Sequence, residues 1–315
     1  MTPASTDHRV ADPPPALADA IAALEAEHDC SVVAARDVGS RAWGLDHPDS
    51  DFDVTVLFRQ PLVRYATLDG YVPTVHRESD DVELTAWNVR RFAELLVDSN
   101  PATLEFLHSP LRYRTCEPLA ALEVDVGDEF EPIRLYHHYR SFADRQFRKY
   151  CQRRLLRAGE PAYVVVGETD DEWVCAPDDG EGLAAPPSDT RTRIPKDDDR
   201  YDLGEWDPTV DRTTYLARAA LYARFVRDTH EFPTLDFPAF LDECEATGWL
   251  VDDVLDRARL LVERKRAGRG AELVPDLFTD GSLALPAEIP PEKHAVRGID
   301  PGRVNEFVEA VFEGV

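Results

Sequence analysis

Gly39-Ser40-Arg41-Ala42-Trp43-Gly44, followed by Ser50-Asp51-Phe52-Asp53 and the apolar run 54–58, is the stretch on which the reading of this chain turns. Residues 31–38, with Val32, Val33 and Val38, predict a short buried strand that breaks at Gly39, where a backbone without a side chain can turn closely. Ser40 then stands where a helix would begin. An N-cap serine leaves backbone N–H groups pointing outward, and with the helix dipole these favour phosphate oxygens. In the next strand, alternation puts Asp51, Asp53 and Thr55 on one face and Phe52, Val54 and Val56 on the other. The two carboxylates are about 6–7 Å apart along the backbone. That suits Mg²⁺, a hard cation that takes few carboxylates and leaves its other positions to water and phosphate.

A third carboxylate from a neighbouring strand is offered by Asp81-Val82-Glu83-Leu84-Thr85-Ala86-Trp87. Val82, Leu84 and Ala86 alternate with Glu83, Thr85 and Trp87, so an inward apolar set turns Glu83 toward the site. With 61 Asp and Glu residues in the chain, a single carboxylate is ordinarily a solvated surface group. A Gly-Ser turn and an Asp pair at this distance seldom coincide by accident.

Gly39-Ser40, with Asp51 and Asp53 eleven and thirteen residues beyond the serine, resembles the signature of the DNA polymerase beta nucleotidyltransferase superfamily. The wider text, with Pro48-Asp49-Ser50-Asp51-Phe52-Asp53-Val54, the strand 83–87, Ser99-Asn100-Pro101, Glu105-Phe106-Leu107 and Ser109-Pro110, is similar to its RNA-repair-associated branch, the RlaP-like predicted nucleotidyltransferases. The similarity runs over about residues 31–115 and returns weakly at 215–227, 232–240 and 260–268. The resemblance implies an α+β catalytic domain, a short mixed sheet flanked by helices, followed by a mainly helical domain. It implies a two-metal transfer of a nucleoside monophosphate from a triphosphate with loss of pyrophosphate; ATP is the nucleotide expected here. By position, Asp51, Asp53 and Glu83 would be the catalytic and metal-binding carboxylates for two Mg²⁺ ions, and Gly39 with Ser40 would bind the β- and γ-phosphates. Arg41 would neutralise phosphate charge or stand as a surface arginine. The third carboxylate of this branch is commonly Asp, so Glu83 is a departure that shifts reach by about an ångström, a scale to which transfer rates respond.

Composition sets the surroundings. The net charge is −26, with four lysines against thirty-one arginines. Acidic residues dispersed along the whole chain fit a halophilic cytoplasm, where the Debye length at molar salt is only about 3 Å. A protein that mimics nucleic acid or binds a basic partner is the alternative. No apolar run approaches the length needed to cross a membrane and no basic-then-apolar leader is seen, so the expectation is a soluble, cytoplasmic protein. Cys30, Cys116, Cys151, Cys175 and Cys244 lack zinc-type spacing and read as reduced thiols.

Two domains are expected: a catalytic domain over residues 1–125, with 1–15 a loose tail, and a helical domain over 126–315 with an acidic insertion at about 159–208. Within the insertion, 164–166 and 172–174 suggest a hairpin, while Asp178-Asp179-Gly180, Ala185-Pro186-Pro187 and 197–199 bury little. The helical part offers further candidates. Residues 140–157 read as a basic helix holding Arg145, Arg148, Lys149, Arg153 and Arg154, attractive to phosphate or paired with nearby carboxylates. Tyr215, Arg218 and Tyr222 share a helix face, where Tyr215 could stack on a base and Arg218 contact phosphate, as the resemblance implies, or all could belong to the core. Lys265 within Arg264-Lys265-Arg266 is a third basic group, explained equally by a helix C-terminus. Two functions stand open: an enzyme passing a nucleoside monophosphate to an RNA end, a protein or a small hydroxyl compound, and a non-catalytic nucleotide-binding regulator or antitoxin-like protein.

Overall fold

The computed structural model describes residues 10–313 except 69, 80, 128, 179–182, 184–190, 276 and 291–297. The chain forms two compact units. The first combines Met1–Leu135, His230–Phe240 and Pro291–Val315; the second combines Tyr136–Thr229 and Leu241–Pro290.

The first unit is built on a five-stranded mixed sheet. Helix α1 (Pro15–His28) begins at a proline whose fixed φ suits the first helical position and ends at Asp29 in the left-handed region. Strands β1 (Ser31–Asp37), β2 (Phe52–Arg59), β3 (Thr74–Glu78) and β4 (Val82–Asn88) follow, and after helices α2 (Val89–Val97) and α3 (Pro101–His108) the short β5 (Arg112–Arg114) completes the order β3-β4-β2-β1-β5. β2 and β4 pair in parallel, and the other neighbouring strands of the sheet pair antiparallel. Period-two alternation decides what each face buries. Val54, Val56 and Phe58 of β2 and Val82, Leu84 and Ala86 of β4 pack against Leu17, Ile21 and Leu24, which helical spacing brings to one side of α1. On the other face, Trp87 stacks on Phe92 of α2, whose ring also meets Phe106 of α3 and Phe307 of the C-terminal helix Pro301–Glu313 edge-on. Each such ring removed from water stabilises the unit by about 2–3 kcal/mol.

Both helices of that layer start on asparagine caps: the side chain of Asn88 accepts from the Arg90 N–H and that of Asn100 from the Ala102 N–H. Under α3, the fully buried Arg36 donates to the carbonyls of Phe106 and Leu107 at 2.9 and 2.8 Å and pairs with Glu123 of α4 (Glu117–Val126). Arg112 reaches the same carboxylate at 3.0 Å. These charges fasten β1 and β5 to the helical layer and satisfy two carbonyls at the end of α3.

The second unit departs from the helical expectation. Helix α5 (Pro132–Gln146) passes into a π-turn, Phe147–Cys151, and the chain then enters a strand, so 140–157 is not one basic helix. Strands β6 (Arg154–Arg157), β7 (Glu160–Glu168), β8 (Glu172–Pro177), β9 (Thr192–Pro195) and β10 (Asp202–Leu203) form an antiparallel sheet in the order β10-β6-β7-β8-β9. The hairpin expected near 164–174 is its centre; Asp179-Gly180 and Ala185-Pro186-Pro187 lie outside the described residues, as does most of the 1–15 tail. Leu155, Cys175 and Ile194 form its small core. Arg153 pairs with Glu168 and Arg154 with Asp178, so two of the five basic residues meet carboxylates. Helix α6 (Val210–Thr229) is buried on most sides, and α7 (Phe237–Thr247) and α8 (Asp252–Arg266) complete the helical set. Lys265, 6 % exposed, extends from α8 to Asp211 at 2.6 Å, a structural role that needs no ligand.

Candidate functional site

Where β1 ends, the Val38 N–H donates to the Asp53 carbonyl at 2.8 Å, and the chain leaves the sheet at Gly39. Ser40 does not open a lasting helix. The Trp43 N–H closes one turn on the Gly39 carbonyl at 3.1 Å, and the turn is then ended by paired bonds from Leu45 N–H to Ser40 O (2.8 Å) and Gly44 N–H to Arg41 O (3.3 Å). This is the Schellman arrangement, with Gly44 at φ +65° in the left-handed position. A side chain there would also meet the Asp236 carboxylate, 2.5 Å from where a Cβ would lie. The helix predicted from Ser40 is therefore a single turn, because Gly44 stops it and the chain at 236–237 stands against it. The Phe237 N–H donates to the Trp43 carbonyl at 2.9 Å, and the Trp43 indole N–H donates to Glu105 of α3 at 3.1 Å. The first N–H groups of such a turn have no partner within it. Those of Ser40, Arg41 and Ala42 donate to no backbone acceptor among the described residues, and Ser40 is 7 % exposed. Successive amides of this kind form an anion-binding concavity.

The carboxylates come from the neighbouring parallel pair. Register sets Asp53 of β2 directly beside Glu83 of β4, with Phe52 beside Val82 and Val54 beside Leu84. Adjacent strands stand about 4.8 Å apart and in-register partners share a face, so Asp53 and Glu83 project side by side. Val82, Leu84 and Ala86 are buried while Glu83 is exposed, the outcome that alternation predicted. Asp51, exposed, lies just before β2, and the Phe52 N–H donates to the Asp81 carbonyl at 3.0 Å, which joins the starts of β2 and β4. Glu78 of β3 lies opposite Glu83 on the far side.

Gly39 and Asp53 are in close apposition. A Cβ on Gly39 would lie 1.8 Å from Asp53 Oδ2 and 2.3 Å from its Cβ, so the carboxylate occupies space that only glycine leaves open. Carboxylates in register on two adjoining strands, with Asp51 just before one of them and beside amides without a backbone acceptor, match the donor chemistry of Mg²⁺ with a bound phosphate. The fit is one of backbone placement and donor type: among the described residues no three His, Cys, Asp or Glu side chains converge closely enough to hold an ion as they stand.

One residue of the site was missed by the sequence reading. Asp37, at the end of β1, has no exposed surface; its Oδ1 accepts the Gly39 N–H at 3.2 Å and its Oδ2 the Tyr113 hydroxyl at 3.4 Å. Burial, reinforced by the Asp53 charge and opposed by the Gly39 bond, raises its carboxyl to about 7. The adjacent charges Arg36 and Asp37, closing the apolar run 32–35 just before Gly39, were the available signal.

Arg41 turns from the amides toward the loop that precedes β2. Its guanidinium lies 4.0 Å from the centre of the Phe52 ring, donates to the Ser50 carbonyl at 2.7 Å and stands 4.0 Å from Asp46. Tyr215 and Arg218 belong to α6 in the second unit. Arg218 is 5 % exposed with its guanidinium 4.5 Å from the Tyr222 ring, and Tyr215 faces the Lys265 ammonium at 5.0 Å.

A mixed sheet carrying an Asp-x-Asp strand in register with a third carboxylate, beside a Gly-Ser turn, defines a polymerase-beta-like nucleotidyltransferase domain. Comparison with known families agrees: the RNA repair pathway DNA polymerase beta family, RlaP, matches residues 15–281, and the chain belongs to it. A curated relative, the "Uncharacterized protein YcgL" of Bacillus subtilis (strain 168), is 26% identical over 163 residues, 50% of this chain and 62% of its own length. The matched region thus spans less than two thirds of that relative. Among the described residues no helix is long and apolar enough to cross a membrane.

Proposed function

We propose that this protein is a Mg²⁺-dependent nucleotidyltransferase that moves a nucleoside monophosphate from a nucleoside triphosphate, ATP first among them, to an acceptor hydroxyl and releases pyrophosphate. The observation that carries the reading is the in-register pairing of Asp53 with Glu83 next to the open amides of the 39–44 turn. Asp51, Asp53 and Glu83 supply the carboxylate oxygens for two ions, which when bound would draw charge from the reacting phosphate and acidify the acceptor hydroxyl. The Ser40 hydroxyl and the amides of residues 40–42 hold the β- and γ-phosphates. Glu83 takes the acceptor's proton as the acceptor oxygen bonds to the α-phosphorus and the bond from that phosphorus to the bridging oxygen breaks. Arg41, within the turn, completes phosphate neutralisation, and Tyr215 with Arg218 of α6 are the proposed base and phosphate contacts. The family's association with RNA repair makes an RNA end the first acceptor to try, ahead of a protein or small hydroxyl compound.

The test is incubation in molar salt of native protein and Asp53→Ala with Mg²⁺, each labelled triphosphate in turn, and a mixed pool of RNA, protein and small hydroxyl compounds. Label transfer by the native protein alone supports the proposal, and the labelled product names the acceptor. Nucleotide binding by both proteins with transfer by neither would refute it and favour the regulatory reading.

A further inference from the structure

We infer that Asp37 is a positioning residue for the triphosphate: its buried carboxylate fixes the Gly39 peptide so that the three amides that follow face the phosphates. The inference rests on the proposed nucleotidyltransferase reading. The geometry begins with what Asp37 itself is held by. Its N–H donates to the Leu111 carbonyl at 3.0 Å and its carbonyl accepts the Ser109 hydroxyl at 2.5 Å, so the backbone of Asp37 is tied on both sides to the chain between α3 and β5. Its carboxylate lies fully inside, where a side chain has one arrangement and not several.

From that fixed point the carboxylate takes the Gly39 N–H at 3.2 Å. This bond divides the amides of the turn: Gly39 points inward, while those of Ser40, Arg41 and Ala42 meet no backbone acceptor among the described residues. Without the inward bond the Gly39 peptide could rotate, and glycine resists such rotation least of all residues. The opposite side of Gly39 is closed by the Asp53 carboxylate, 1.8 Å from where a Cβ would lie. Gly39 is thus clamped between Asp37 and Asp53, so the phosphate amides and the carboxylate assigned to the metals share one reference point.

The test uses the full-length protein in molar salt with Mg²⁺ and inorganic tripolyphosphate, a probe that contacts the turn without a base or sugar. Calorimetric affinities are compared for native protein, Asp37→Asn, which keeps an acceptor oxygen at nearly the same volume, and Asp37→Leu, which removes it. The expected result is affinity within about threefold of native for Asp37→Asn and a loss of about tenfold or more for Asp37→Leu at an unchanged melting profile. In transfer assays the same loss should appear in KM for the triphosphate more than in kcat. Native-like affinity in a folded Asp37→Leu overturns the inference while leaving the nucleotidyltransferase reading intact; native protein that binds neither tripolyphosphate nor any nucleoside triphosphate overturns both. Should Asp37→Leu fail to fold, amide exchange in the native protein decides. Gly39 should be protected before ligand is added, with Ser40, Arg41 and Ala42 protected only afterwards, and a Gly39 amide that exchanges as fast as those three refutes the inference.

Discussion

Gly39→Ala isolates one contact with unusual clarity, because Gly39 is not in the left-handed region and alanine suits its backbone. The added methyl would lie 1.8 Å from Asp53 Oδ2, 2.4 Å from its Cγ and 2.3 Å from its Cβ, where ordinary contact begins at 3.4 Å. The carboxylate must retreat by about 1.6 Å and the Cβ by about 1.1 Å for normal packing. Rotation about the side-chain bonds moves the first but not the second. A Cβ shift requires the start of β2 to move, against the bond from Val38 N–H to the Asp53 carbonyl and the pairing of Asp53 with Glu83. Overpacking of this kind costs about 1–3 kcal/mol, and on the proposed role of Asp53, displacing its carboxylate by about an ångström should lower transfer by about a hundredfold. Background dependence provides the sharper assay. In Asp53→Ala the clashing Cβ remains, so part of the cost of Gly39→Ala persists; in Asp53→Gly it disappears. Denaturant unfolding of the four proteins of each cycle, in molar salt, should give a coupling larger with Asp53→Gly than with Asp53→Ala. An equal cost of Gly39→Ala in all three backgrounds would refute the steric account, and a transfer rate equal to native would separate Asp53 from the chemistry.

Glu83→Gln, at an exposed position, should leave the unfolding midpoint nearly unchanged yet lower label transfer by about a hundredfold or more, measured side by side on one preparation. Asp37 gives a pH signature. Its carboxyl is raised from 3.8 to about 7, so over that window the folded protein holds a proton that the unfolded chain has released. The stabilisation it gives is complete below the unfolded value and lost as pH rises through about 7, by up to about 4 kcal/mol; urea titrations at intervals of pH should find the decline reduced in Asp37→Asn. Phe92→Ala removes the ring shared by Trp87, Phe106 and Phe307 and should cost about 3–5 kcal/mol, read from the same unfolding curves. The charge of −26 predicts a lower melting temperature in dilute buffer than in molar salt, and equal melting across a salt series would remove the halophilic expectation.

The parts of the site legible in the sequence are those governed by a local period. Alternation alone brings Asp51 and Asp53 to one face and turns Glu83 away from Val82 and Leu84, and the parallel register then joins them. What could not be read depends on distant chain. Ser40 has the makings of an N-cap, but helix propagation past Gly44 is stopped by a left-handed residue packed on Asp236. Asp37 looks like any of 61 acidic residues until Ser109, Leu111 and Tyr113 enclose it. In the second unit, β6, β9 and β10 are four, four and two residues long, too short for period two to stand out, so of that sheet the hairpin at its centre was what could be read. The basic stretch 140–157 kept its helical appearance because arginine tolerates helix and strand alike; the π-turn at Phe147–Cys151 divides it.

The 39–44 turn has a further consequence for how the protein is made. Its Trp43 carbonyl is engaged by Phe237 and its Gly44 is seated on Asp236, although nearly two hundred residues separate these partners along the chain. A ribosome that has released the first strands has therefore not yet supplied the segment against which Trp43 and Gly44 are held, and a nascent chain ended before residue 236 lacks it altogether. Completion of the turn's packing is in this sense a late event in synthesis, and a shorter polypeptide lacks the partners that hold Trp43 and Gly44.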